Sequence, residues 1–96
     1  MSDNDVYAQI AVKIIAGQEA IIGPVAIEQA QQVSNMKVDW PEHKVSISGN
    51  EVKVIEDLIN RYKELFGQIS VEVSKQAASS LMKQLPANAA LPEMLK

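Results

Sequence analysis

Met36-Lys37-Val38-Asp39-Trp40-Pro41-Glu42-His43-Lys44-Val45-Ser46-Ile47 is the stretch that decides the fold class. Met36, Val38 and Trp40 alternate with Lys37 and Asp39, and further on Val45 and Ile47 alternate with Ser46 and Ser48. A side-chain period of two belongs to strands with one buried face. The link Pro41-Glu42-His43-Lys44 is short and carries a proline, so the segment predicts an antiparallel hairpin. Two strands alone are marginal in water, and helices must cover them.

Both flanks supply helices. Downstream, Ser48-Gly49-Asn50-Glu51 offers two starts, Ser48 with Glu51 as a capping box or Asn50 as a simple cap. Val52, Ile55, Leu58, Ile59, Tyr62, Leu65 and Phe66 then recur every three or four residues, opposite Lys53, Glu56, Asn60, Lys63 and Glu64. Gly67 stands where a left-handed C-cap belongs. After Gln68 two periods compete. Residues 69 to 73 alternate like a third strand, while Ile69, Val73, Ala77 and Leu81 continue at helical spacing. The good helix formers that follow, up to Leu85, favour a helix, which Pro86 closes.

Upstream, Asn4 or Asp5 can cap a first helix with Val6, Ile10 and Ile14 in one row and Tyr7, Ala11 and Ile15 in a second. Only Gln9 and Lys13 mark a clearly wet stripe, so this helix is apolar over most of its circumference. Gly17 within it marks a kink or a close helix crossing, because mid-helix glycine costs up to ~1 kcal/mol against alanine. Gly23-Pro24 breaks the pattern and starts a short second helix. There Val25, Ala26, Ile27, Ala30 and Val33 oppose Glu28, Gln29, Gln31 and Gln32, before Ser34-Asn35. The expected architecture is α+β, one small domain over residues 1–85 in the order α-α-β-β-α-α, followed by an irregular tail over 86–96.

Composition narrows the function. The 96 residues are 47% hydrophobic and 22% charged, a globular balance with enough apolar side chains for one cooperative core. There is no cysteine, which removes disulfides, thiolate metal sites and cysteine nucleophiles. The acidic, polar opening Met1 to Asp5 is unlike a secretory signal, and Gln9, Lys13, Gln18 and Glu19 interrupt the apolar run from Ala8 to Ile22, so no membrane span and a cytoplasmic location are expected. With 9 basic against 12 acidic residues the net charge is −3, and Arg61 is the sole guanidinium, which makes polyanions poor partners.

No constellation points to chemistry. His43 beside Glu42 and near Asp39 could be drawn as a metal or general-base site, but zinc usually takes three or four ligands on a scaffold, and polar side chains are ordinary in a turn. Ser70, Ser74, Ser79 and Ser80 have no G-x-S-x-G elbow and only one, distant histidine, and read as polar filler between helices. The isolated glycines build neither a P-loop nor a dinucleotide fingerprint. The expectation is a protein without cofactor, metal or catalytic residues.

What remains is surplus apolar surface. An apolar circumference is hard to hide within a single small chain, so Val6, Ile10 and Ile14 suggest a homodimer formed on the first helix. Trp40 is a second candidate contact, and Leu91, Met94 and Leu95 in the tail could dock into a partner or pack back. A non-enzymatic interaction or regulatory module is therefore the leading expectation. Its rival is a winged-helix-like DNA binder, in which Gln29, Gln31 and Gln32 read adenine edges and Lys37 and Lys44 flank the wing, against an acidic chain and a second helix without a basic residue. A small enzyme or carrier with its pocket between hairpin and third helix ranks last.

Overall fold

The computed structural model describes residues 3–40 and 42–85, together with Leu91 and Leu95. Its element order is α1 (Asp3–Ile22), α2 (Val25–Ala30), β1 (Met36–Asp39), β2 (Lys44–Ile47), α3 (Glu51–Phe66) and α4 (Gln68–Met82). The α+β architecture and the α-α-β-β-α-α order match the sequence reading.

The hairpin forms as the alternation requires. Met36 pairs with Ile47, Lys37 with Ser46, Val38 with Val45 and Asp39 with Lys44, which puts Met36, Val38, Val45 and Ile47 on the core face and the charged residues on the wet face. The Ser48 amide donates to the Asn35 carbonyl (2.9 Å) and extends the ladder by one pair. Among the described residues, Asn35 (φ 64°) and His43 (φ 57°) are the two non-glycine residues with positive φ, one before β1 and one in the turn. Asn and His are among the residues that tolerate this region best.

Of the two possible starts for α3, the structure uses Asn50: its Oδ1 accepts from the Lys53 amide at 3.1 Å. We expect Asn50→Ala to cost ~1 kcal/mol in a urea titration, with the m-value unchanged, since only an exposed cap is lost. Gly67 is the single residue between α3 and α4. It has φ 83° but ψ −167°, so it is not the left-handed helical cap expected but an extended mirror-image conformation open essentially to glycine alone. Its amide still closes α3 by donating to the Lys63 carbonyl (2.8 Å).

Residues 69 to 73 are helical, within α4. That helix stops at Met82 rather than Leu85, and the residue before Pro86 is one that helical geometry disfavours. The second helix is likewise shorter than its apolar pattern, because Gln31 and Gln32 already lie in the turn after Ala30.

The centre of the molecule is α1. It packs against α4, β2, α2 and α3, so Tyr7, Ile10, Ala11, Ile14 and Ile15 are all buried, while Val6 and Val12 are half-buried at the margins. Its most extensive contact is with α4. A Cβ on Gly17 would lie 3.1 Å from Ala77 Cβ and 3.4 Å from Val73 Cγ1, so of the two readings of this glycine the close crossing holds. The next residue, Gln18, is fully buried. Its Nε2 donates to the Ser70 carbonyl (2.9 Å) and to Ser74 Oγ (3.2 Å), and Ser74 Oγ donates to the Ser70 carbonyl (2.8 Å). A paired polar cluster inside an apolar contact fixes helix register, since any slip would strand buried donors and acceptors.

Candidate interaction surface

The hydrogen bonds that tie the helices together also show where apolar side chains are left outside. Gln18 belongs to the penultimate turn of α1 and Ser70 to the first turn of α4, and their hydrogen bond places those two helix ends together. The Tyr62 hydroxyl donates to the Ala26 carbonyl, which brings the penultimate turn of α3 to the start of α2. The two interhelical breaks, at Gly23-Pro24 and at Gly67, therefore sit at one end of the molecule.

Around those breaks lie Ile21 (62% exposed), Val25, Leu65 (52%), Phe66 and Ile69 (65%), and these are the large exposed hydrophobics among the described residues. Large apolar side chains left exposed close together on a monomer commonly mark a contact site. The charged side chains beside them are mostly acidic. Glu28 lies one turn from Val25, Glu72 one turn from Ile69 and Glu64 next to Leu65, all exposed, with Lys63 and, one turn from Leu65, the half-buried Arg61 as the neighbouring cations.

The residues expected to meet a partner separate into groups. Ile10 and Ile14 are completely buried by the protein's own elements, so the face of α1 that they define is the core rather than an open surface. Val6 and Trp40 are half-buried, and the Trp40 ring lies 4.2 Å from that of His43 at a tilt of 48°. Leu95 is buried in the main core and Leu91 packs against it, so both described tail residues fold back onto the domain; Met94 lies outside the described residues.

The end patch itself escaped the sequence reading, which placed Val25, Leu65, Phe66 and Ile69 on buried helix faces. Its signal was available. Two breaks, Ile21-Ile22-Gly23-Pro24-Val25 and Leu65-Phe66-Gly67-Gln68-Ile69, each carry large apolar residues where a connection is normally polar.

The other candidates do not assemble into sites. Arg61 Nη1 donates to Gln29 Oε1 (3.1 Å) and Gln32 Oε1 (3.2 Å), so two of the three glutamines proposed to read bases hold an intramolecular cation. Among the described residues no group of three His, Asp or Glu could hold a metal ion, and no helix is long and apolar enough to cross a membrane. A cleft of about 440 Å³ at the open end of the hairpin is lined by Asn35, Met36, Lys37, Ser46, Ile47 and Ser48, which offer no acid–base pair. Comparison with family models, with curated proteins and with solved structures finds no match to this chain.

Proposed function

We propose that the protein is a non-enzymatic protein-interaction module that docks a partner on its helical end. The observation that carries this reading is the gathering of Ile21, Val25, Leu65, Phe66 and Ile69 around two interhelical breaks, while the other large apolar side chains among the described residues are buried or half-buried. An exposed isoleucine at 65% forgoes most of the ~2 kcal/mol its burial would give, which a docking partner recovers. The rim of Glu28, Glu64 and Glu72 fits a segment whose apolar side chains are flanked by lysine or arginine, and disfavours an acidic one. The setting proposed is the cytoplasm, in keeping with a chain free of cysteine. Ile10 and Ile14 are buried by the protein's own elements, so of the three first-helix contacts expected for a homodimer only Val6 is partly open.

The test uses two synthetic amphipathic helical peptides, one of leucine and lysine and one of leucine and glutamate, titrated into the ¹⁵N-labelled protein. The leucine–lysine peptide is expected to shift the amide resonances of residues 21, 25, 65, 66 and 69 and to lose at least ~10-fold in affinity on Leu65→Glu with Ile69→Glu. The leucine–glutamate peptide is expected to leave them in place. Shifts that map elsewhere, or equal binding of both peptides, would overturn the reading.

A further inference from the structure

The second feature without a partner among the described residues is the outer edge of β1. In the ladder the Ser48 amide bonds the Asn35 carbonyl, so residues 35 and 48 form a hydrogen-bonded pair; by the two-residue alternation of antiparallel strands, 37 with 46 and 39 with 44 do the same. Met36 and Val38 are then the residues whose backbone amides and carbonyls point away from β2. Among the described residues the sheet has only these two strands. Helix α1 packs along β2 and much less along β1, α2 makes only a small contact with β1, and no backbone hydrogen bond described outside the hairpin reaches Met36 or Val38. Such an edge is a template for another strand.

We propose that the occupant of this edge is a second copy of the chain, joined antiparallel through β1 about a two-fold axis at Val38, to make one four-stranded sheet. The sequence of the strand is self-complementary in that register. Val38 faces Val38 of the second copy through paired outward hydrogen bonds, Met36 faces Trp40, and Lys37 faces Asp39, twice by symmetry. The Lys37–Asp39 pairs fall at the non-hydrogen-bonded positions, where cross-strand side chains come closest. Both residues are exposed on the wet face of a single copy. On the other face Val38 and Trp40 are only half-buried, and the added strands cover them with the same residues of the second copy. The β2 edge lacks this complementarity, because self-pairing about Val45 sets Lys44 against Ser46. Nothing in this pairing uses the helical end: β2 meets α1 near Ala8 to Val12, roughly 14–20 Å along the helix from Ile21 at 1.5 Å per residue. A dimer formed this way carries two independent docking ends.

Sedimentation equilibrium on the full chain tests the pairing, with Lys37→Asp, Asp39→Lys and the two combined. The wild type is expected to dimerise in the micromolar range. Lys37→Asp sets like charges opposite one another twice, and its dimer dissociation constant should rise at least ~10-fold. Combining it with Asp39→Lys should return that constant to within about threefold of the wild type. Hydrogen exchange adds a second readout, in which the Val38 amide slows as protein concentration rises while the Lys37 amide, already inside the hairpin, does not. A wild type that stays monomeric at high micromolar concentration would overturn the proposal, as would a folded Lys37→Asp variant that dimerises unchanged or a double variant that stays as weak as the single ones. Ile69→Glu is expected to leave the dimer intact, so failure here and failure of the helical-end reading are separable.

Discussion

Tyr62→Ala is expected to remove ~4 kcal/mol of stability, and Tyr62→Phe only ~1–2 kcal/mol. Tyr62 is a fully buried aromatic on α3, and its hydroxyl donates to the Ala26 carbonyl at the start of α2. The alanine variant loses the ring contacts and leaves a cavity between the helices, whereas phenylalanine keeps the packing and loses one buried hydrogen bond. For a domain whose whole stability is in the ~5–15 kcal/mol range, the alanine variant should melt ~20 °C lower in calorimetry. The phenol also predicts a pH response. Burial pushes the Tyr62 pKa well above the ordinary tyrosine range. The stability this contributes is fully present below the unfolded phenol's pKa of ~10 and is lost as pH rises above it, because only the unfolded chain then ionises readily. Denaturant titrations should therefore show stability falling above pH ~10, with a shallower fall in Tyr62→Phe.

The second large effect is expected at Gly17. Its position against Ala77 and Val73 leaves no room for a branched side chain, so Gly17→Leu should cost ~3 kcal/mol or more through forced separation of α1 and α4. Gly17→Ala sets two opposing terms against each other. Alanine gains up to ~1 kcal/mol of helix propensity, yet its Cβ meets the Ala77 Cβ at 3.1 Å, an atom that cannot rotate away. We expect net destabilisation of ~1 kcal/mol for Gly17→Ala and partial recovery when Ala77→Gly is added. Chemical denaturation of the three variants decides it, and additivity between Gly17→Ala and Ala77→Gly would contradict the close crossing.

How much of this was legible in the sequence depends on which force governed each element. The hairpin was, because the alternation through Met36, Val38, Val45 and Ile47 coincides with the burial it produces. So was α3, where an asparagine cap and a three-four apolar repeat agree. Residues 69 to 81 are helical, as their spacing predicts, but the face α4 buries is Ser70, Val71, Ser74, Ala78 and Leu81, and of the expected row Ile69, Val73, Ala77 and Leu81 only Leu81 is buried. Periodicity said less about α1. A helix apolar on nearly every side reads as an interface or as a core, and only the arrangement of α2, α3, α4 and β2 around it gives the core answer for Ile10, Ile14 and Ile15. Gln18 looked like a polar interruption; it is buried because Ser70 and Ser74, more than fifty residues away, supply its partners. The helical end was hidden for the opposite reason. Leu65, Phe66 and Ile69 fit helical apolar patterns, and a pattern does not tell where a helix outruns the neighbour that would cover it.

The central claim is a division of apolar residues between a core centred on α1 and a contact surface at the far helical end. It is tested most directly by isoleucine methyl spectra recorded with a soluble paramagnetic probe, before and after addition of the leucine–lysine peptide. The account predicts strong broadening of Ile21 and Ile69 in the free protein, relief of that broadening by the peptide, and protection of Ile10, Ile14, Ile15, Ile55 and Ile59 throughout. Broadening of Ile10 and Ile14 together with protection of Ile21 and Ile69 in the free protein would contradict it.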